Sequence, residues 1–244
     1  MSTTNALKAC TDGDLGSLTA LLSDPSISKT DEFLSDMLRN AAINGRSTIV
    51  EYLLNSYNPS HIDDKVFRAA AASNSTETFR LIYARNPSCI TELYERRGTL
   101  LSIALGAASS EEFIEYLLSM GANPNLISDD TVSPLAFAAF QYDSPRMVEL
   151  LVQHGAQVNG TSALAAAAQK GHLGTAIYLL AHGALVNDPG NWIQPAFPLH
   201  IAVKHGKAEM VRLLLGRKAD LALRHGSGGR LLKSHARQAM RKWL

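Results

Sequence analysis

Residues 198–221 read PLHIAVKHGKAEMVRLLLGRKADL. Two apolar runs, around Leu199–Val203 and Met210–Leu215, flank the polar turn Lys204-His205-Gly206-Lys207. Within each run the apolar residues recur at helical spacing, so each run predicts a short helix with one greasy flank. The glycine between them marks the turn. Two helices this short cannot cover their own apolar surface, so the stretch predicts a unit that is stable only when stacked on others.

Such units recur along the chain. The apolar pair that closes the second helix, usually two leucines, returns at Leu21, Leu53, Leu81, Leu117, Leu151, Leu179 and Leu214, at intervals of 28 to 36 residues. About 15 residues before each pair lies an alanine-rich run, as in LRNAAINGR, FRAAAASN, PLAFAAFQ and ALAAAAQKGH. Alanine lets first helices approach closely, while the leucine pair fills the layer between units. Gly121, Gly155 and Gly183 each precede an alanine where a helix must end, and glycine supplies the left-handed residue that ends it.

The segments PLHIAVKHGKAEMVRLLLGRKADL and SPLAF…MVELLVQHGAQVN resemble ankyrin repeats, whose signature is T-P-L-H-x-A at a period of about 33 residues. Pro198, Leu199, His200 and Ala202 match it, with Phe197 in place of threonine, and Ser133, Pro134 and Leu135 match it one strong copy earlier. Seven copies run from about residue 4 to 224, degenerate over 4–95 and strong over about 96–224, with the cap GRLLKSHARQAMRKWL within 225–244. The resemblance implies an all-α ankyrin-repeat solenoid of about seven helix-turn-helix repeats with hairpin loops and a C-terminal capping helix. It also implies a single domain over 1–244, and a concave groove lined by loop tips and the open face of the first helices.

Composition narrows the function classes. The chain has 244 residues, 46% hydrophobic and 18% charged, which suits a folded protein. The start, MSTTNALKACTDGDLG, lacks a basic then apolar leader, and no apolar run reaches the ~20 residues that span a bilayer. Two distant cysteines, Cys10 and Cys89, make no disulfide framework, so an intracellular location, cytoplasmic or nuclear, is expected. Residues 204–244 carry 11 Lys/Arg against 2 Asp/Glu, while residues 1–64 carry 4 against 9. The basic end reads first as a solvated cap, and otherwise as a contact for nucleic acid or an anionic surface.

Departures from the repeat mark candidate sites. The connection NGTSAL, from Asn159, is about five residues shorter than its neighbour, and NDPGNWIQPAFP is about two residues longer than a regular loop. A short loop beside a long aromatic one predicts a local feature near Trp192. That side chain either fills the gap or anchors a ligand or partner. On the same face the resemblance implies a strip of Asp129, Asp130 and Val132, then Phe140, Gln141 and Tyr142, then Gln169 and Lys170, then Lys204 and His205.

Two functions follow. The first is a binding module that recognises a protein partner through its concave face. The alternative is a cofactor-independent enzyme, of isomerase, cyclase or hydro-lyase type, using Asp129, Asp130, Tyr142, Asp143, Lys170 and His205 in acid–base roles near repeats five to seven. A small molecule in the groove of repeats five to seven is the alternative to a protein partner. No H-E-x-x-H, C-x-x-C or calcium-loop pattern occurs, so no metal and no cofactor are expected. His154, His172, His182 and His200 recur with the stack and are assigned structural roles.

Overall fold

The computed structural model describes residues 2–94, 96–127, 132–190, 197–220 and 222–223. Fourteen α-helices lie among them, and they fall into seven pairs. The first four pairs are α1 (Ser2–Asp12) with α2 (Leu15–Leu22), α3 (Asp31–Ile43) with α4 (Ser47–Tyr57), α5 (Asp64–Ala72) with α6 (Thr76–Tyr83), and α7 (Leu100–Gly106) with α8 (Glu111–Ser119). The other three are α9 (Pro134–Gln141) with α10 (Arg146–Gln153), α11 (Ala163–Lys170) with α12 (Leu173–Ala181), and α13 (Pro198–Lys204) with α14 (Ala208–Gly216). The chain divides into two compact units, Met1–Asn123 and Pro124–Leu244. The expected capping segment, 225–244, lies outside the described residues.

In the first unit α1, α3, α5 and α7 pack in order, first helix against first helix. Small buried residues permit this: Ala41 and Ala42 in α3, Ala70 and Ala71 in α5, and Ala104 in α7 are all fully buried. Larger side chains fill the layer of second helices. Phe79 of α6 meets Phe113 of α8 edge-on, at 5.9 Å between ring centroids. Burying each such ring or leucine contributes roughly 1.5–3 kcal/mol. A short 3-10 turn, Pro87–Thr91, was not expected from the repeat; it leads into Tyr94, which is only 3% exposed.

Helix ends are closed by local side chains. Asp14, Thr30, Asp63, Ser75, Thr99, Ser110 and Ser133 each accept a backbone N–H within the first turn of the helix they precede. Such caps satisfy donors that no intrahelical carbonyl can reach. At the other end Gly121, Gly155 and Gly183 take φ of 97°, 87° and 90°, as their place before alanine predicts. Each following alanine then donates back into the helix: Ala122 to Leu117, Ala156 to Leu151 and Ala184 to Leu179, at 2.9–3.0 Å.

In the second unit α9, α11 and α13 are the neighbours. A ladder of asparagines ties one loop to the next. Asn125 donates to the Gly155 carbonyl and accepts from Gln157 N–H, both at 2.8 Å. Asn159 repeats this with Gly183 at 3.0 Å and Leu185 at 2.8 Å. Asn187 accepts from Asp220 N–H at 2.9 Å. The sequence carries the signal as Gly-Ala-x-x-Asn at 121–125, 155–159 and 183–187.

The short connection and the start of the long one touch. The Asp188 carboxylate accepts from Gly160 N–H at 2.6 Å and from Gly190 N–H at 2.9 Å. A Cβ added at Gly190 would lie 1.9 Å from Ser162 Oγ and 2.9 Å from Ser162 Cα. Only glycine allows that approach, so the longer loop begins by lying against the place where the shorter one is missing. Ser162 itself holds φ of 66°, unusual for a side chain with a Cβ.

Candidate functional site

The expected strip begins where the first helices of the second unit end. α9 closes at Gln141, and the chain turns through Tyr142 and Asp143 into α10. Phe140 is half-buried on the last turn of α9, and Gln141 is exposed. Stacking brings α11 alongside, and Lys170 Nζ stands 4.2 Å from the centroid of the Phe140 ring. An ammonium over an aromatic face is held by the ring's negative centre, for about 0.5–1 kcal/mol at an exposed site. These two residues are 30 positions apart in sequence and adjacent only because the repeats stack.

Tyr142 is half-buried, and burial pushes its phenol above the ordinary tyrosine range. Its backbone is extended and its N–H reaches the Ala138 carbonyl at 3.0 Å. Asp143, one residue on, is 92% exposed, and its carboxylate lies 3.8 Å from His172 Nε2. The other ring nitrogen of His172, Nδ1, is 3.0 Å from the Ala139 carbonyl. His172 thus links the α11–α12 turn to the end of α9, a role in the stack. His182 stacks on Tyr178 at 3.9 Å between centroids, and His200 is 5% exposed in α13.

Lys204 and His205 occupy the equivalent exposed end of α13. Between the last two turns lies an open cleft of about 300 Å³, lined by Lys170, Gly171, Leu173, Gly206, Lys207 and Met210 among others. Lys207 was not singled out from sequence. Its Cδ would sit 3.0 Å from a Cβ on Gly171, whose φ is 85°, so its stem lies along the glycine. The recurring turn K-G-H and H-G-K at 170–172 and 205–207 is the sequence signal for that pairing.

Asp129, Asp130 and Trp192 lie outside the described residues; Val132 is 42% exposed just before α9. The six residues Ala163–Ala168 of α11 are all buried, none more than 4% exposed. Six successive helical positions point in every direction, so α11 is covered all round until Gln169 and Lys170. The open strip at this repeat is therefore confined to the helix end. Among the described residues, no three His, Cys, Asp or Glu side chains are grouped to hold a metal ion, and Cys10 and Cys89 are buried and unpaired. No described helix is long and apolar enough to cross a membrane.

Paired short helices, stacked first helix on first helix within each unit and tied in the second by loop asparagines, define a helical repeat protein. Ankyrin-repeat family models match residues 66–161, 100–190 and 159–225. The chain belongs to the ankyrin-repeat family, whose members generally act as protein–protein interaction modules. An ankyrin repeat protein of Fowlpox virus (strain NVSL) is 32% identical over 137 residues, 52% of this chain and 39% of the viral protein. The chain therefore spans well under half the length of that curated relative. The family matches start inside the third helix pair, yet α1–α4 keep the same paired geometry.

Proposed function

We propose that the chain is a binding module that grips a protein partner with the concave face the family builds from its first helices. The contact is assigned to Phe140, Gln141, Tyr142, Lys170, Lys204 and His205, with Asp129, Asp130 and Trp192 added on sequence grounds. The observation that carries this reading is the Phe140–Lys170 pair, an aromatic and a cation held together at the accessible end of the strip. Aromatic side chains are enriched in binding interfaces, and the Lys170 ammonium holds this ring at the accessible helix end. Buried neutral thiols at Cys10 and Cys89 suit the reducing cytoplasm or nucleus. The acid–base alternative rests on sequence alone, since Asp143 turns its carboxylate toward water and His172.

The test compares partners captured by the wild-type chain with those captured by Phe140→Ala/Lys170→Ala and by Trp192→Ala. A control, Glu115→Ala, alters the outward face of α8. Each captured protein is then purified and titrated. Loss of at least about tenfold in affinity for the strip variants, with the control unchanged, is expected for hot-spot residues. Identical affinity across all variants would exclude the strip as the binding surface.

A further inference from the structure

Six of the seven second helices, all but α2, share one register, in which two buried positions precede an outward one. Ile49 and Val50 precede Glu51, Thr78 and Phe79 precede Arg80, and Phe113 and Ile114 precede Glu115. Met147 and Val148 precede Glu149, and Met210 and Val211 precede Arg212. In α12 the buried pair is Thr175 and Ala176, and the outward residue is Ile177, 47% exposed. An apolar side chain thus faces water where five other second helices carry a charge. Gly174 and Ala181 lie on the same side of α12 and are exposed, and Leu185 beyond it is 62% exposed. No residue of α12 is charged. Contiguous exposed apolar surface marks interaction sites, and Ile177 and Leu185 are two of the five large apolar side chains most exposed among the described residues.

The flanks of this seam are polar and opposite in order. α10 places Arg146 and Glu149 at the positions of Gly174 and Ile177, and they pair at 3.3 Å. α14 places Glu209 and Arg212 at the same positions, also paired. Pro145, just before α10, lies 3.6 Å from the site of a Gly174 Cβ, so the N-terminal ends of α10 and α12 meet.

We propose that this outer face of the second unit binds a second copy of the chain about a two-fold axis parallel to α12. Such an axis is isologous, so every residue on it meets itself. Ile177, Ala181 and Leu185 of one copy then run along the same residues of the other as a single apolar seam. α10 of one copy lies beside α14 of the other, pointing the same way. Arg146 meets Glu209 and Glu149 meets Arg212, twice over. A two-fold axis perpendicular to α12 can match the charges only when centred between Gly174 and Ile177, which leaves Leu185 outside the contact. The parallel axis satisfies both the seam and the charges. The face lies on the second helices, away from the first-helix strip, so dimerisation and partner binding are compatible.

Sedimentation velocity on the full chain, over a wide concentration range, tests the proposal. The wild type is expected to pass from monomer to dimer as concentration rises. Ile177→Glu restores the charge found in the neighbouring helices, so it should fold normally by circular dichroism and weaken the dimer at least about tenfold. Arg146→Glu should weaken it similarly, because like charges then oppose each other across the interface. Adding Glu209→Arg to Arg146→Glu should restore the dimer, which only the α10-to-α14 arrangement allows. A wild type that stays monomeric throughout, a dimer indifferent to Ile177→Glu, or a double variant that fails to recover would each overturn the proposal. So would a monomer that uses Ile177 to bind a different protein.

Discussion

Lys218 occupies the place that glycine holds in three other repeats. Its φ is 64°, and the following Ala219 N–H reaches back to the Leu214 carbonyl at 3.0 Å, as after Gly121, Gly155 and Gly183. A Cβ in the left-handed region costs on the order of 1 kcal/mol. Lys218→Gly is therefore expected to raise stability by about 1 kcal/mol, read as a higher urea midpoint with an unchanged slope. The two thiols give a second expectation. Burial pushes both Cys10 and Cys89 from 9.0 up to about 12. The fold favours their neutral form, so that contribution is intact below pH 9 and is lost as pH climbs toward 12. The urea midpoint should fall across that window, and fall less steeply in Cys10→Ala/Cys89→Ala. The sequence excluded a disulfide framework from two distant cysteines, but their burial depends on the helices around them.

Elements here are held by links the eye can find only after the repeats are aligned. Asn159 bridges two loops with one amide, so Asn159→Ala is expected to cost about 1 kcal/mol in thermal or urea unfolding. Asn125→Ala should behave alike, because its two bonds are the same. Helix existence was legible throughout, since the leucine pairs and alanine runs are strongly periodic. The contact of Lys170 with Phe140 was not, although both residues were placed on one strip. Their pairing depends on which rotamers meet at a helix end after stacking, and no spacing encodes that. The full burial of Ala163–Ala168 was also hidden, because alanine suits both a covered helix and an open one. Ile177 is legible in the sequence: at its position five of the other six second helices carry a charge, and α2 carries the polar Thr19.

Across the molecule, stability should be local. In a stacked array each repeat gains its covering from its immediate neighbours, so damage spreads by contact. Leu38 of α3 is 2% exposed, and α3 packs on α1 and α5. Leu38→Ala is expected to cost roughly 2–5 kcal/mol locally and to speed amide exchange in α1, α3 and α5, fading with each repeat beyond. Hydrogen exchange followed by mass spectrometry checks this; uniform acceleration of every helix would contradict it. The repeat architecture at this scale was readable from period alone, including the three degenerate N-terminal pairs. Division into two compact units was not, because the period runs through Asn123 and Pro124 without a break.

Repeat arrays invite engineers to lift out a module and insert it elsewhere. Copies six and seven resist that treatment. Asp188 belongs to the connection entering the seventh pair, yet its carboxylate completes the backbone entering the sixth, and Gly190 must stay bare because Ser162 lies beneath it. Transplanting either module alone would leave a truncated junction open or strand an overlong one. The two form an inseparable cassette, and a chimera should retain its cooperativity only when both travel together.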